Sequence, residues 1–520
     1  MCDVRGAKCD EGLRLASRRT SHNALRTFCK IQRLTVMSEF AISHIFAGQL
    51  QKVLRFLRIN DPYRLLAILI FLILFSLPLM INPPAVTKPE LQSMVVGEAL
   101  QNGQLMYAEV YDPTAPLAAG AFGVIDWMMG RSVTGRQIIA LILIFLQAAF
   151  FAILLINNKA YNDNTYVPGF IYGLLCFVSF DFLSITPELL GSTVLLLALN
   201  NLFREIEFRV ERDGIIVNVG FYTGLASIFV FSYSIFLLAA FVILFVFTRI
   251  SFRKSLLLLF GFFLPHVILV VLYFYKDALP ALWNNFYLEN FLHTDINLIS
   301  GKSLLVLAAL PISYFVYSLF MMTREARFTK YQSQLFQVMF LWIAFCVIEI
   351  FLTRQLSPHS LIIMIPSLSY FFSHYMLLIR RRWIAEMMLW LLIIGVITIS
   401  NLAMRGNIGS IDYSRMFVSA PKRVVPVTDQ KVMVLGDDIS VYRNNYLGGY
   451  FLDWPLSERT LKGTQYYDNV LKIDAMFQTF PPDVIVDQMG MFGALANRIP
   501  SLNVKYTKQG ENLYVRNGRK

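Results

Sequence analysis

Apolar runs of roughly 17–21 residues, each ended by a short polar segment, recur along the chain from residue 65 to residue 402. Runs of that length match a hydrocarbon core about 30 Å thick. The pattern predicts eleven transmembrane helices, near 65–82, 136–156, 167–182, 187–203, 215–230, 232–249, 255–275, 303–321, 335–353, 358–378 and 384–402. The apolar piece 116–130 is shorter and contains Asp126, so it is expected to lie in the interface rather than cross. After residue 402 the pattern changes. KVMVLG (Lys431 to Gly436), DVIVD (Asp483 to Asp487) and NLYVR (Asn512 to Arg516) read as short strands, with turns at Asp437-Asp438 and Gly448-Gly449. The expected fold class is an α-helical polytopic membrane protein of about eleven spans with a small C-terminal extracytoplasmic α/β domain.

The segments divide accordingly. Residues 1–36 are basic and polar, with no apolar stretch long enough for a signal peptide, and Met37 opens MSEFAISHIF. Residues 1–36 are therefore expected to be a non-native or disordered extension, and 37–64 a cytoplasmic amphipathic segment. Residues 65–402 form the transmembrane domain, with a first outer loop at 83–135, and 403–520 the α/β domain.

Composition removes the soluble alternatives. The 520 residues are 56% hydrophobic and 15% charged, with a mean hydropathy of +0.55. The net charge of +12 sits in short loops: Arg204/Arg209/Arg212, Arg249/Arg253/Lys254, Arg324/Arg327/Lys330 and Arg380/Arg381/Arg382. That distribution is an orientation signal for a lipid bilayer and not a nucleic-acid face. It places the N-terminus in the cytoplasm and the C-terminal domain outside a cytoplasmic (inner) membrane. Were 116–130 a true span, every later loop would flip against the rule. The five cysteines, Cys2, Cys9, Cys29, Cys176 and Cys346, have neither disulfide nor metal-ligand spacing.

With so few charges, their placement points to chemistry. The outer loop Glu90–Leu117 carries Glu90, Glu98, Glu109 and Asp112, a Gly103-x-x-x-Tyr107 turn and an Asp112-Pro-x-x-Pro-Leu element. Asp181 and Glu188 flank one outer hairpin, and Glu349, Arg354 and His359 flank another. The loop 276–302 adds Lys276, Asn284, Asn285, Glu289, His293 and Asp295. Ionisable groups at a membrane edge are functional candidates, and these imply one polar cavity opening outward. Such a cavity suits transfer from a lipid-borne donor. Glu90 or Asp112 would act as general base, Arg354 with His359 or Lys276 would hold a phosphate, and the spans would hold a polyprenyl tail. Each residue also has a plainer reading. Asp112 caps a turn, Asp181 and Glu188 end helices at the water interface, Arg354 snorkels to headgroups, and His266 makes a structural contact.

Three separated pieces resemble the GT-C superfamily of polytopic membrane glycosyltransferases, which includes protein O-mannosyltransferases and the aminoarabinose transferases of lipid A. The first matches at Glu90, Gly103, Tyr107, Asp112, Pro116 and Leu117. The second is Arg354 to Pro366, RQLSPHSLIIMIP, similar to an Arg-x-x-x-Pro-His-Tyr segment ending in Pro, with Ser360 in place of Tyr. The third is the tail with VMVLGDDISVY, PPDVIVD and IPSLNVKY. The family's paired acidic motif is absent, since Lys88 and Pro89 precede Glu90. The resemblance implies a polyprenyl-phosphate-linked sugar donor, inversion at the anomeric carbon and an extracytoplasmic acceptor. It implies Glu90 as lead base with Asp112 in support, and substrate or phosphate contacts from Arg354, His359, Lys276, Tyr107, Asp181 and Glu188. No cofactor or dedicated metal site is expected, although divalent-metal dependence varies within the superfamily. A secondary transporter, a non-enzymatic scaffold on a degenerate GT-C fold, and a surface-polysaccharide ligase or polymerase stay open.

Overall fold

The computed structural model describes residues 53–59, 61–208, 213–248, 250–292, 296–325, 328–418 and 428–517. The expected extension 1–36, most of the segment 37–64, and Arg209, Arg212, Arg249, His293, Asp295 and Arg327 lie outside the described residues.

Among the described residues, nine helices are long and apolar enough to cross a membrane: Tyr63–Ile81, Val133–Asn157, Pro187–Glu207, Phe231–Thr248, Phe252–Tyr275, Gly301–Arg324, Lys330–Leu352, Pro358–Leu378 and Arg382–Met404. Their outward faces expose residues such as Ile70, Leu74, Phe260, Val267 and Val271. Apolar exposure on this scale suits lipid and not water.

Among the described residues, two of the eleven expected spans are not helices of full membrane-crossing length. Over 167–182 the helix is only Val167–Leu175, followed by a 3₁₀ turn at Phe180–Leu183. Every residue from 165 to 186 is buried. Irregular backbone is tolerated at membrane depth when protein, not lipid, surrounds it. Over 215–230 the helix is Asp213–Ser227, 15 residues long. It lies so close to Phe252–Tyr275 that a Cβ added to Gly220 or Gly224 would sit 2.1 or 2.2 Å from a carbonyl oxygen of that neighbour. Gly220-x-x-x-Gly224 is the small-residue spacing that lets membrane helices touch by their backbones. The piece expected to stop short of crossing is the 14-residue helix Pro116–Met129.

A two-stranded parallel pair, β1 (Ile296–Asn297) with β2 (Gln355–Leu356), ties the long loop before Gly301 to the segment after Leu352. The C-terminal unit holds a five-stranded sheet built from β3 (Lys431–Leu435), β4 (Tyr446–Leu447), β5 (Val484–Asp487), β6 (Tyr506–Lys508) and β7 (Leu513–Arg516). Its order is β4-β3-β5-β7-β6, parallel from β4 to β5 and antiparallel beyond. All three strands expected from the sequence are present. Alternation along β3 and β5 divides the packing. Val432, Val434, Val484 and Val486 join the core of the helical bundle, while Met433, Leu435 and Ile485 join a second core with Trp454, Ile473 and Phe492.

The C-terminal unit is docked by polar contacts as well. Tyr111 N–H donates to Tyr450 O at 2.7 Å, and Asp453 N–H donates to Tyr111 O at 2.9 Å. Arg131 pairs in bidentate fashion with Glu98 and donates to Tyr442 O at 2.8 Å, Arg443 O at 3.0 Å and Asn445 O at 2.7 Å.

Candidate functional site

Where this unit meets the bundle, a polar cavity of about 410 Å³ opens. Its walls come from the start of helix Lys88–Gln101, the segment Pro113–Ala115, Thr186–Glu188, Phe229–Ser232, β1, Leu352–His359 and the C-terminal stretches around Asp437 and Asp453.

The first wall follows from helix geometry. Thr87 is the N-cap of helix Lys88–Gln101, its Oγ1 accepting from Glu90 N–H at 3.4 Å, and Pro89 fits the first turn, which lacks intrahelical donors. Lys88 and Gln92 stand one turn apart on one face and line the cavity. Glu90, two residues on from Lys88, is not among the lining residues. Burial raises its carboxyl above the ordinary range, opposed by the Thr87 backbone N–H and by Arg136 and His359. The expected lead base thus sits in the first turn of this helix, outside the lining but near His359 of the cavity wall.

Asp112 is fully buried and also lies outside the lining. Its Oδ1 accepts from Thr114 N–H at 2.8 Å, closing a turn, and its Oδ2 accepts from Gln92 Nε2 at 2.5 Å. It therefore aims Gln92 and supports Pro113–Ala115. Tyr107 is wholly buried at φ 69°, unusual for a bulky residue. Its hydroxyl donates to Thr114 O at 2.6 Å, its ring packs against Tyr273 and Phe286, and Asn285 Nδ2 donates to its carbonyl at 2.7 Å. Tyr107 shapes the loop and does not face a ligand space; burial pushes its hydroxyl well above its ordinary value.

Arg354 lines the cavity between two carboxylates. Its Nη1 lies 3.3 Å from Glu289 Oε1 and its Nη2 lies 3.2 Å from Asp453 Oδ2. Arg459 Nη1 closes the chain at 2.8 Å from Glu289 Oε2. Among the described residues, buried Arg354 Nε has no hydrogen-bond partner, and Nη1 meets Glu289 as an ion pair only. Asp453, the N-cap residue of helix Trp454–Lys462, is 8% exposed at its side chain. Burial pushes its carboxyl up to about 7, Arg354 opposing and Asp112 and Glu289 adding to the rise.

His359 is in the wall, its Nδ1 3.0 Å from Asp181 Oδ2 and its Nε2 2.8 Å from the Asp181 carbonyl and 3.1 Å from Ser184 Oγ. Asp181 lies behind it and does not line the cavity. Glu188 lines it from the first turn of its helix. Beside it Ser232 Oγ donates to buried Glu349 at 2.6 Å.

Of the expected residues, the structure brings Arg354, His359 and Glu188 to the cavity, with Asp181 immediately behind. Lys276 is exposed at the end of helix Phe252–Tyr275 and is not among the lining residues. Lys88, Gln92 and Asp453 were missed as site residues. The Lys88/Gln92 spacing was a usable helix-face signal; Asp453 reaches Arg354 from 99 positions away, with no local signal. Among the described residues, no group of three or more His, Cys, Asp or Glu is placed to hold a metal ion.

A second cavity of about 570 Å³ is lined by apolar residues of helices Gly301–Glu325, Lys330–Leu352 and Ile365–Leu378, of the segment Leu356–Met364 and of the buried segment Leu175–Phe182. The two cavities share a wall. Gln355, Ser357 and His359 face the polar one, and Phe351, Leu356 and Leu361 face the apolar one. β2 thus sorts its side chains by the period of an extended strand.

No family model and no curated protein matches the sequence. Solved structures do match. A crystal structure of ArnT from Cupriavidus metallidurans bound to undecaprenyl phosphate aligns with a TM-score of 0.54 at 10% identity, covering 88% of this chain and 99% of that one. The apo state of the same protein aligns at 0.51 and 12% identity, covering 86% and 97%. An oligosaccharyltransferase from Archaeoglobus fulgidus aligns at 0.44 and 11% identity, covering 88% and 74%. At these identities the likeness is one of fold: this chain is a multi-pass membrane protein that shares its overall fold with the ArnT structures.

Proposed function

We propose that this chain is a membrane glycosyltransferase that moves a sugar from a polyprenyl-phosphate-linked donor to an extracytoplasmic acceptor. The observation that carries the reading is the position of Arg354. A guanidinium whose buried Nε has no hydrogen-bond partner, and whose outer nitrogens face Glu289 and Asp453, stands where a polar cavity adjoins an apolar one. Buried donors are seldom left unpaired, and phosphate oxygens fit a guanidinium fork. Lys88 supplies a second cation in the same cavity. The prenyl tail would occupy the apolar cavity, the phosphate would meet Arg354, and the sugar would enter the polar cavity. Binding of undecaprenyl phosphate by an ArnT structure of this fold supports the ligand class.

The test compares surface glycans of a strain lacking the chain with the same strain carrying it. A glycan lost on deletion and restored by the wild-type copy supports the transferase and identifies the sugar. Unchanged glycans on deletion would sink it in favour of a scaffold or transporter.

A further inference from the structure

Three carboxylates line the polar cavity among the described residues: Glu188, Asp437 and Asp453. Asp437 is exposed on a loop facing Glu458 and Lys88. Glu188 stands near buried Glu349. Asp453 alone among them touches Arg354, and its backbone is fixed by the hydrogen bond to Tyr111.

We propose that Asp453, delivered by the C-terminal domain, is the carboxylate that takes the acceptor's proton. The assignment rests on the transferase reading and moves the reacting base from the first loop to the far end of the chain. The acceptor O–H or N–H bond breaks, its proton passes to Asp453, and the acceptor atom bonds the anomeric carbon. The bond from that carbon to the phosphate oxygen breaks, and its electron pair leaves with the polyprenyl phosphate.

Charge favours this placement. The donor is a phosphodiester with one negative charge, and the product is a monoester that leaves with two. A base beside the same guanidinium loses its charge as the phosphate gains one, so the total around Arg354 is unchanged. In a poorly solvated cavity, uncompensated charge is costly. Burial has already moved Asp453 to about 7, near the value at which a general base is most effective around neutral pH.

The experiment uses the purified full chain mixed with detergent-solubilised membranes of the deletion strain, which supply donor and acceptor. Restored glycan is the turnover readout, and undecaprenyl phosphate is the binding probe. Asp453→Asn keeps the shape and an oxygen for Arg354, so probe binding should stay within threefold of wild type or tighten. Turnover should fall at least about a hundredfold, within the usual range for a general base. Wild-type turnover should fall as pH drops below about 7, because the base is then protonated, and Asp453→Glu should regain part of the rate with that acid limb. Retained turnover in Asp453→Asn overturns the assignment and leaves the transferase standing. Joint loss of turnover and probe binding assigns Asp453 a structural role and overturns it as well. If deletion changes no glycan and wild type does not bind the probe, the transferase reading and the assignment fall together.

Discussion

Arg354 faces two carboxylates at its outer nitrogens and keeps Nε unpaired. That geometry requires a planar fork, which lysine lacks. Arg354→Lys should therefore weaken undecaprenyl phosphate binding about tenfold or more, measured on the purified chain, despite conserving charge; unchanged affinity would remove Arg354 from the phosphate site. Glu90→Gln is the contrasting case. Glutamine keeps the size of glutamate without its charge, and Glu90 lies outside the residues that line the cavity. Turnover should fall less than tenfold; a loss as large as that of Asp453→Asn would return the proton-accepting role to Glu90. The sequence signalled that acids and cations gather at one end, and Arg354, His359 and Glu188 do meet there. It could not signal that Lys88 and Gln92 would line the cavity while Glu90 would not, because that depends on how helix Lys88–Gln101 is rotated against the rest of the fold.

At the scale of elements, hydropathy located the long helices well because lipid imposes their length. It did not give the helix lengths within 167–182 and 215–230: the first is enclosed by protein and so is not held to one lipid-spanning helix, and the second is 15 residues long. The glycines of Asp213–Ser227 explain how a short helix holds its place. A methyl group on Gly224 would meet Phe262 O at 2.2 Å, a backbone atom unable to rotate aside. Gly224→Ala should cost about 1–3 kcal/mol by overpacking, read as a lower midpoint of thermal unfolding in detergent. Gly214→Ala, on the same helix with no atom within 4 Å of the added carbon, should leave the midpoint unchanged or raise it slightly. Equal effects at both sites would mean that propensity, and not the close crossing, governs this helix.

The whole molecule has two unlike ends. One carries the cavity and the C-terminal domain. The other gathers Arg204, Arg253, Lys254, Arg324, Lys330 and Arg380–Arg382, of which Lys254 is paired with Glu205 at 3.1 Å and Arg253 with Asp213. Short loops rich in Lys and Arg stay in the cytoplasm, so the cavity should open on the far side, where lipid-linked sugars would be its donors. Cysteine labelling tests this directly. Cys176 and Cys346 are buried, so a chain with Cys2, Cys9 and Cys29 replaced offers a quiet background. Gly510→Cys, exposed between β6 and β7, should react with a membrane-impermeant maleimide in intact spheroplasts. Thr323→Cys, exposed near the end of helix Gly301–Glu325, should react only after permeabilisation. The reverse pattern would turn the cavity toward the cytoplasm and remove the physical reason for coupling a polar site to a prenyl-sized apolar one.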